Sequence, residues 1–246
     1  MRKKLTIIAL FSIVLAVALY VWLAPTPKFY SDEKIVELIM NYDNDIEVDV
    51  EGILAVYEID DTHRYVPFQV KSGVQGMSFW EFRYFKWEII RFDIGEEITL
   101  WNLKQGDFNE SFFVWNIRGN DMQTLSMQVK EKRNFESSEE GQRYYPEIYL
   151  EENISIKDSL SYGYYQIPGY WAEAIQSQGD NESENEIEFW PDLNSQYYPE
   201  FYFEVRDPKN NTVETIRMDG AYGFSTSIGD STFHFVNPAN QMDNEE

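Results

Sequence analysis

Histidine is the commonest general base, and this chain has two, His63 and His234. His63 sits beside a turn signal, Asp60-Asp61-Thr62. His234 lies in an alternating strand between Phe233 and Phe235, so its side chain points opposite to that apolar pair. Neither has a second histidine at metal-ligand spacing. The absence of cysteine removes thiol nucleophiles, disulfides, iron–sulfur clusters and cysteine zinc sites together. Ser31-Asp32-Glu33-Lys34 fits the Ser-x-x-Lys pattern of penicillin-interacting enzymes, but its partner motifs are missing and helix capping explains the same residues. The motifs therefore nominate no catalytic residue, no metal ligand and no cofactor.

Carboxylates remain, at 43 Asp and Glu, and a glycosidase-type pair among them is defined only by spacing in three dimensions. Glu81, flanked by Trp80 and Phe82, is the best-placed single acid, because an aromatic setting raises a carboxyl pKa and sugars stack on aromatics. Arg83 shares its strand face and is the ion-pair partner that would keep it ionised. The run 79–92 is expected as one long aromatic strand, with Trp80, Phe82 and Tyr84 on one face and Phe79, Phe85 and Trp87 on the other. Either the strand is buried in a sandwich or one face is a recognition platform. Trp80, Glu81, Phe82, Arg83, Tyr84 and Trp87 are the candidate binding residues of that platform.

An internal echo adds Tyr145 and Tyr198. Tyr144-Tyr145-Pro146-Glu147-Ile148-Tyr149-Leu150-Glu151 aligns with Tyr197-Tyr198-Pro199-Glu200-Phe201-Tyr202-Phe203-Glu204. Two copies of a small unit presenting aromatics would explain it, and so would two similar strand starts packing a shared core. The acidic ladder Asp43, Asp45, Glu47, Asp49, Glu51 lacks the glycine and the closing glutamate of a calcium loop, and reads as a solvated strand face.

The elements that must carry these residues begin with an apolar run, Leu5 to Ala24, behind Arg2, Lys3 and Lys4. Its length suits a bilayer's hydrocarbon core, and Tyr20 and Trp22 suit an interface. Ala16-Val17-Ala18 offers a rival signal-peptidase site, against which Leu19 to Leu23 would leave an apolar new terminus. The expected topology is a single-pass cell-membrane anchor at 1–24 that contacts the bilayer through 5–24, with the N-terminus cytoplasmic and the bulk outside.

Beyond it come a spacer at 25–30, a helix and antiparallel β domain at 31–135, a β-sandwich-like domain at 140–240 and a disordered tail at 241–246. The fold class expected is mainly β. The polar stretch 130–143 is the candidate boundary, with a long hairpin loop as its rival. Ser31 as N-cap, with Ile35, Leu38, Ile39 and Tyr42 on one face, marks the amphipathic helix. A net charge of -23 repels nucleic acid and anionic lipid, so the fitting partners are a basic protein, a peptide or a glycan.

The Arg-Lys-Lys start, the anchor, the Ser-Asp-Glu-Lys helix and the Tyr- and Trp-rich strands together resemble uncharacterised membrane-anchored proteins of bacillus-type Gram-positive bacteria. Phe203 to Pro208, the Asn210-Asn211-Thr212-Val213 turn and Gly229-Asp230 before Thr232 to Asn237 resemble the last hairpins of bacterial immunoglobulin-like or Golgi-dynamics-type sandwich modules. That resemblance implies a C-terminal sandwich and no particular ligand. The expected function is a non-enzymatic extracytoplasmic binding, scaffold or sensor module, with a carboxylate-based hydrolase of wall or extracellular polysaccharide as the alternative.

Overall fold

Apolar residues at alternate positions need two covered faces, and the described residues supply them with two large sheets and two helices. The computed structural model describes Ser12 and residues 28–42, 48–95, 98–117, 122–131, 134–138, 141–145, 147–156, 161–179, 199–213, 222–225 and 231–239. It is mainly β, and the sheets are antiparallel apart from one parallel pair.

Sheet I has the order β1 (Val50–Ile53), β3 (His63–Val70), β4 (Gln75–Arg83), β5 (Lys86–Ile94), β14 (Tyr222–Ser225), with β2 (Tyr57–Glu58) also on β3. Sheet II runs β11 (Ile148–Ser155), β8 (Thr124–Glu131), β13 (Glu200–Arg206), β15 (Thr232–Pro238), β6 (Ile98–Asn102), β7 (Ser111–Asn116), β12 (Tyr162–Gln166). The parallel neighbours are β13 and β15.

Helix α1 (Asp32–Met40) lays Ile35 and Ile39 on the outer face of sheet I, against Val66, Phe68, Trp80 and Phe92. The inner face, through Tyr65, Met77, Phe79 and Ile90, meets Trp101, Phe112 and Val114 of sheet II. Helix α2 (Gly169–Gly179) closes the far side with Trp171, Ala172 and Ile175 over Leu100, Phe113, Met127 and Phe203. The layers are therefore helix, sheet, sheet, helix.

Several polar groups sealed between the sheets are paired across them, as burial favours. Asn116 donates its amide to the carbonyls of Phe68 (3.2 Å) and Gly76 (2.7 Å), and the Tyr65 hydroxyl donates to the Trp115 carbonyl (2.7 Å). A bulge opposite Phe79 and Trp80 sends Ile90 inward together with Arg91. Arg91 then meets Asp93 at 2.7 Å and lies 4.8 Å over the Phe233 ring. Gly76 is required by close approach, since a Cβ there would come within 2.3 Å of the buried Phe68 ring.

Several expectations change. The run 79–92 is a hairpin of β4 and β5, with Arg83 paired to Lys86 and only Tyr84 and Phe85 between them. Both turn residues have positive φ, 49° and 67°, as a two-residue hairpin loop of this kind requires. Tyr and Phe carry no turn signal, so alternation was extrapolated through the turn and Trp87 was assigned to the wrong face. It packs beside Phe82, at 5.4 Å between ring centroids.

Within the stretch 130–143 and just beyond it, β9 (Asn134–Ser138) pairs β10 (Gly141–Tyr145), and Tyr145↔Asn134 continues the register of Ile148↔Glu131. The units expected at 31–135 and 140–240 both contribute to both sheets. Strands β6, β7 and β8 sit in sheet II, and β14 sits in sheet I. The end of the spacer, Phe29 and Tyr30, packs on the core beside Trp80 and Trp87. No described helix is long and apolar enough to cross a membrane. The anchor at 1–24 lies outside the described residues except for Ser12, as do the tail 241–246 and the Asp43, Asp45 and Glu47 rungs of the acidic ladder.

Candidate functional site

The internal echo becomes geometry in sheet II. Its two copies form β11 and β13, which flank β8 on either side. Because a strand alternates faces, Ile148, Leu150, Phe201 and Phe203 go to the core, while Tyr149, Glu151, Tyr202 and Glu204 take the opposite face. Across β8 the rows read Tyr149, Lys130, Glu200; then Glu151, Gln128, Tyr202; then Asn153, Ser126, Glu204. The face is not uniformly exposed, and Tyr202 is only 7% exposed. It is open along β11, where Tyr149 is 53% exposed, and closes toward the buried Ser126 and Gln128.

Every carboxylate in the rows is already engaged. Glu151 accepts from the Ser126 hydroxyl (2.8 Å), the Tyr149 hydroxyl (3.1 Å) and the Asn153 amide (3.4 Å). Glu204 accepts from Arg206 (2.8 Å) and from the Thr212 hydroxyl, and Glu200 accepts from the Tyr202 hydroxyl. The hydrogen bond from Arg206 holds the Glu204 carboxyl below its ordinary range, helped by Thr212 against partial burial. Burial, then the neighbouring Glu151 charge, pushes the Tyr149 phenol up. The face therefore offers ionised Glu204, a phenol that keeps its proton and an exposed aromatic ring. Those groups attract cations and stack on flat ligands, and they supply no proton donor near neutrality.

The predicted site residues divide. Trp80 and Trp87 are 1% and 4% exposed and belong to the core under α1, so they cannot present a platform. Glu81 faces Arg83 at 3.2 Å, and Phe82 is half-buried. Tyr84 is exposed at the hairpin tip. Tyr145 is in the backbone of β10, and Tyr198 lies outside the described residues. Sequence reasoning chose the first tyrosines of the echo and missed Tyr149 and Tyr202, four residues on, together with Glu151 and Glu204. Period-two alternation from the apolar Ile148 and Phe201 was the signal that could have found them.

The histidines do not join this face. The His63 ring nitrogen Nδ1 meets both Asp60 (2.8 Å) and the Thr62 hydroxyl (3.2 Å), so both partners converge on one nitrogen and no relay runs through the ring. Burial pushes the Asp60 carboxyl up, but the bonds from His63 and Thr62 outweigh it and hold it well below the usual range. His234 lies among Phe108 and Phe201, where burial lowers it to about 4, with Asn102 at 3.3 Å from Nε2. Among the described residues no group of three or more His, Asp or Glu could hold a metal ion. No family model matches the chain, and no curated protein or solved structure is significantly similar to it.

Proposed function

We propose that this protein is a membrane-anchored, extracytoplasmic binding or scaffold module that holds a basic peptide or protein segment against the β11–β8–β13 face. The observation that carries the reading is the doubled Tyr-x-Glu, which sets Tyr149 with Glu151 and Tyr202 with Glu204 on one face around β8. The chain's net charge of -23 gives that face a long-range attraction for cations. Residues 5–24 supply the anchor, on the strength of their length and apolarity. A polysaccharide hydrolase needs one carboxyl protonated opposite one ionised. The lowered Glu204 and the Arg83-paired Glu81 favour binding over that chemistry.

The test is fluorescence anisotropy of labelled decalysine, and of a mixed Lys/Arg/aromatic peptide, with the full chain in nanodiscs. Binding that weakens roughly tenfold or more as salt rises is expected, because exposed charges are screened within about a Debye length. Glu151→Gln/Glu204→Gln should reduce it comparably while the melting temperature holds. Salt-insensitive retention of a neutral glycan, with no peptide binding, would replace the peptide by a sugar. Protease added outside intact cells should digest the bulk of the chain, and its survival beside a surviving cytoplasmic control would reverse the orientation.

A further inference from the structure

Tyr84 and Phe85 form the tip of the β4–β5 hairpin and are 81% and 64% exposed. Both hold a left-handed backbone, which costs a non-glycine residue about 1–2 kcal/mol, where Asn-Gly would sit without strain. Arg83 lies 5.9 Å from the centroid of the Tyr84 ring, yet both side chains remain mostly exposed, so burial does little to offset that cost. The tip is also where the chain arrives from its N-terminal end. Phe29 packs edge-on against Trp87 at 5.0 Å and Trp80 at 5.4 Å, and the Tyr30 hydroxyl donates to the Trp87 carbonyl at 3.3 Å. Trp87 is two residues from Phe85. From Ala24 to Phe29 the chain reaches at most about 17 Å at full extension. The tip is therefore tethered within a short span of the apolar run's end.

Charge agrees with that placement. The chain as a whole repels anionic headgroups, yet at the tip Arg83 is matched by Glu81 at 3.2 Å and Lys86 by Glu88 at 2.5 Å. An exposed Tyr-Phe pair whose flanking charges are internally matched suits the bilayer interface, where aromatic rings sit at headgroup level.

We infer that the β4–β5 tip dips Tyr84 and Phe85 into the interfacial layer of the same bilayer that holds residues 5–24, seating the two sheets against the membrane. This rests on the reading of 5–24 as an anchor. The anchor makes the contact intramolecular, so two side chains suffice where a free protein would need a larger patch.

The chain has no cysteine, so a single introduced thiol can be labelled alone. Phe85→Cys and, as a control in the exposed turn at the other end of β4, Ser72→Cys are labelled with nitrobenzoxadiazole in the full chain. Each is reconstituted in vesicles of phosphatidylcholine and phosphatidylglycerol. The label at 85 is expected to shift blue by roughly 10 nm and dim about twofold with spin-labelled lipid, while the label at 72 stays water-like. Water-like emission at both sites, with the chain floating on the vesicles, overturns the tip contact and leaves the anchor standing. A shift at both sites means general adsorption and also overturns it. A chain that fails to float removes the anchor, and the tip contact falls with it.

Discussion

The space between the sheets and the outer face of β11, β8 and β13 use the same vocabulary of Arg, carboxylate, tyrosine hydroxyl and amide, to opposite ends. Between the sheets Arg91 and Asp93 are buried together, and Asn116 and Tyr65 tie one sheet's side chains to the other's carbonyls. On the outer face the Glu204–Arg206 and Tyr149–Glu151 contacts remain partly open to water. What differs is cover: two sheets seal the first set, while the second stays open along β11 and is buried only at Ser126, Gln128 and Tyr202. Residue type alone therefore says little about role in this chain. The same contact locks a register where water is excluded and offers a ligand charge where it is not.

The sharpest way to break that contrast is to remove one member of each pair. Asp93→Ala leaves the Arg91 guanidinium buried without its carboxylate and should cost about 3–5 kcal/mol in urea unfolding. Glu204→Ala should cost about 1 kcal/mol or less. Equal losses would mean that the outer face is sealed as well.

Acid probes a second group, the half-buried His234. His234 has a folded pKa of about 4 against about 6.5 unfolded, so the unfolded chain binds the proton first. Stability should be complete above pH about 6.5 and decline as pH falls to about 4, by about 3 kcal/mol in all. In His234→Gln that decline should disappear, leaving the slope from carboxylates such as Asp60, whose contribution is lost only as pH falls through its own depressed value. An unchanged slope would place His234 in solvent.

Smaller still is the effect of added volume. Gly76→Ala drives a methyl into the Phe68 ring and should cost about 1–3 kcal/mol, lowering the thermal midpoint. Smallest is Tyr149→Phe, which should change stability by less than about 0.5 kcal/mol and peptide affinity by about threefold. If stability moved more than affinity, the outer face would be structural.

Local signals were legible in the sequence. Ser31-Asp32-Glu33 announces α1, Ile35 and Ile39 mark its buried face, and alternation finds strands near 65–70, 97–103, 112–117 and 231–236. Two things were not. The β4–β5 turn uses Tyr and Phe where turn chemistry uses Gly or Asn, so the chain's own pattern hid it. Pairing partners were the other: Thr99 finds Phe235, and Ile94 finds Tyr222, across separations that periodicity does not encode. The echo was visible, yet its exposed rungs required knowing which members the core would take.

The placement of β14 and β15 has a consequence in time. Sheet I ends on β14 and sheet II is joined through β15, and these are the last two described strands in chain order. A polypeptide emerging N-terminus first can close neither sheet until the strands that precede these two have all been made. Until then β6 holds an unpaired edge and β13 lacks its parallel neighbour, two templates for pairing with another copy. Long-range closure of this kind is slow, so the nascent chain is most exposed to aggregation in the interval between the emergence of β13 and that of β15.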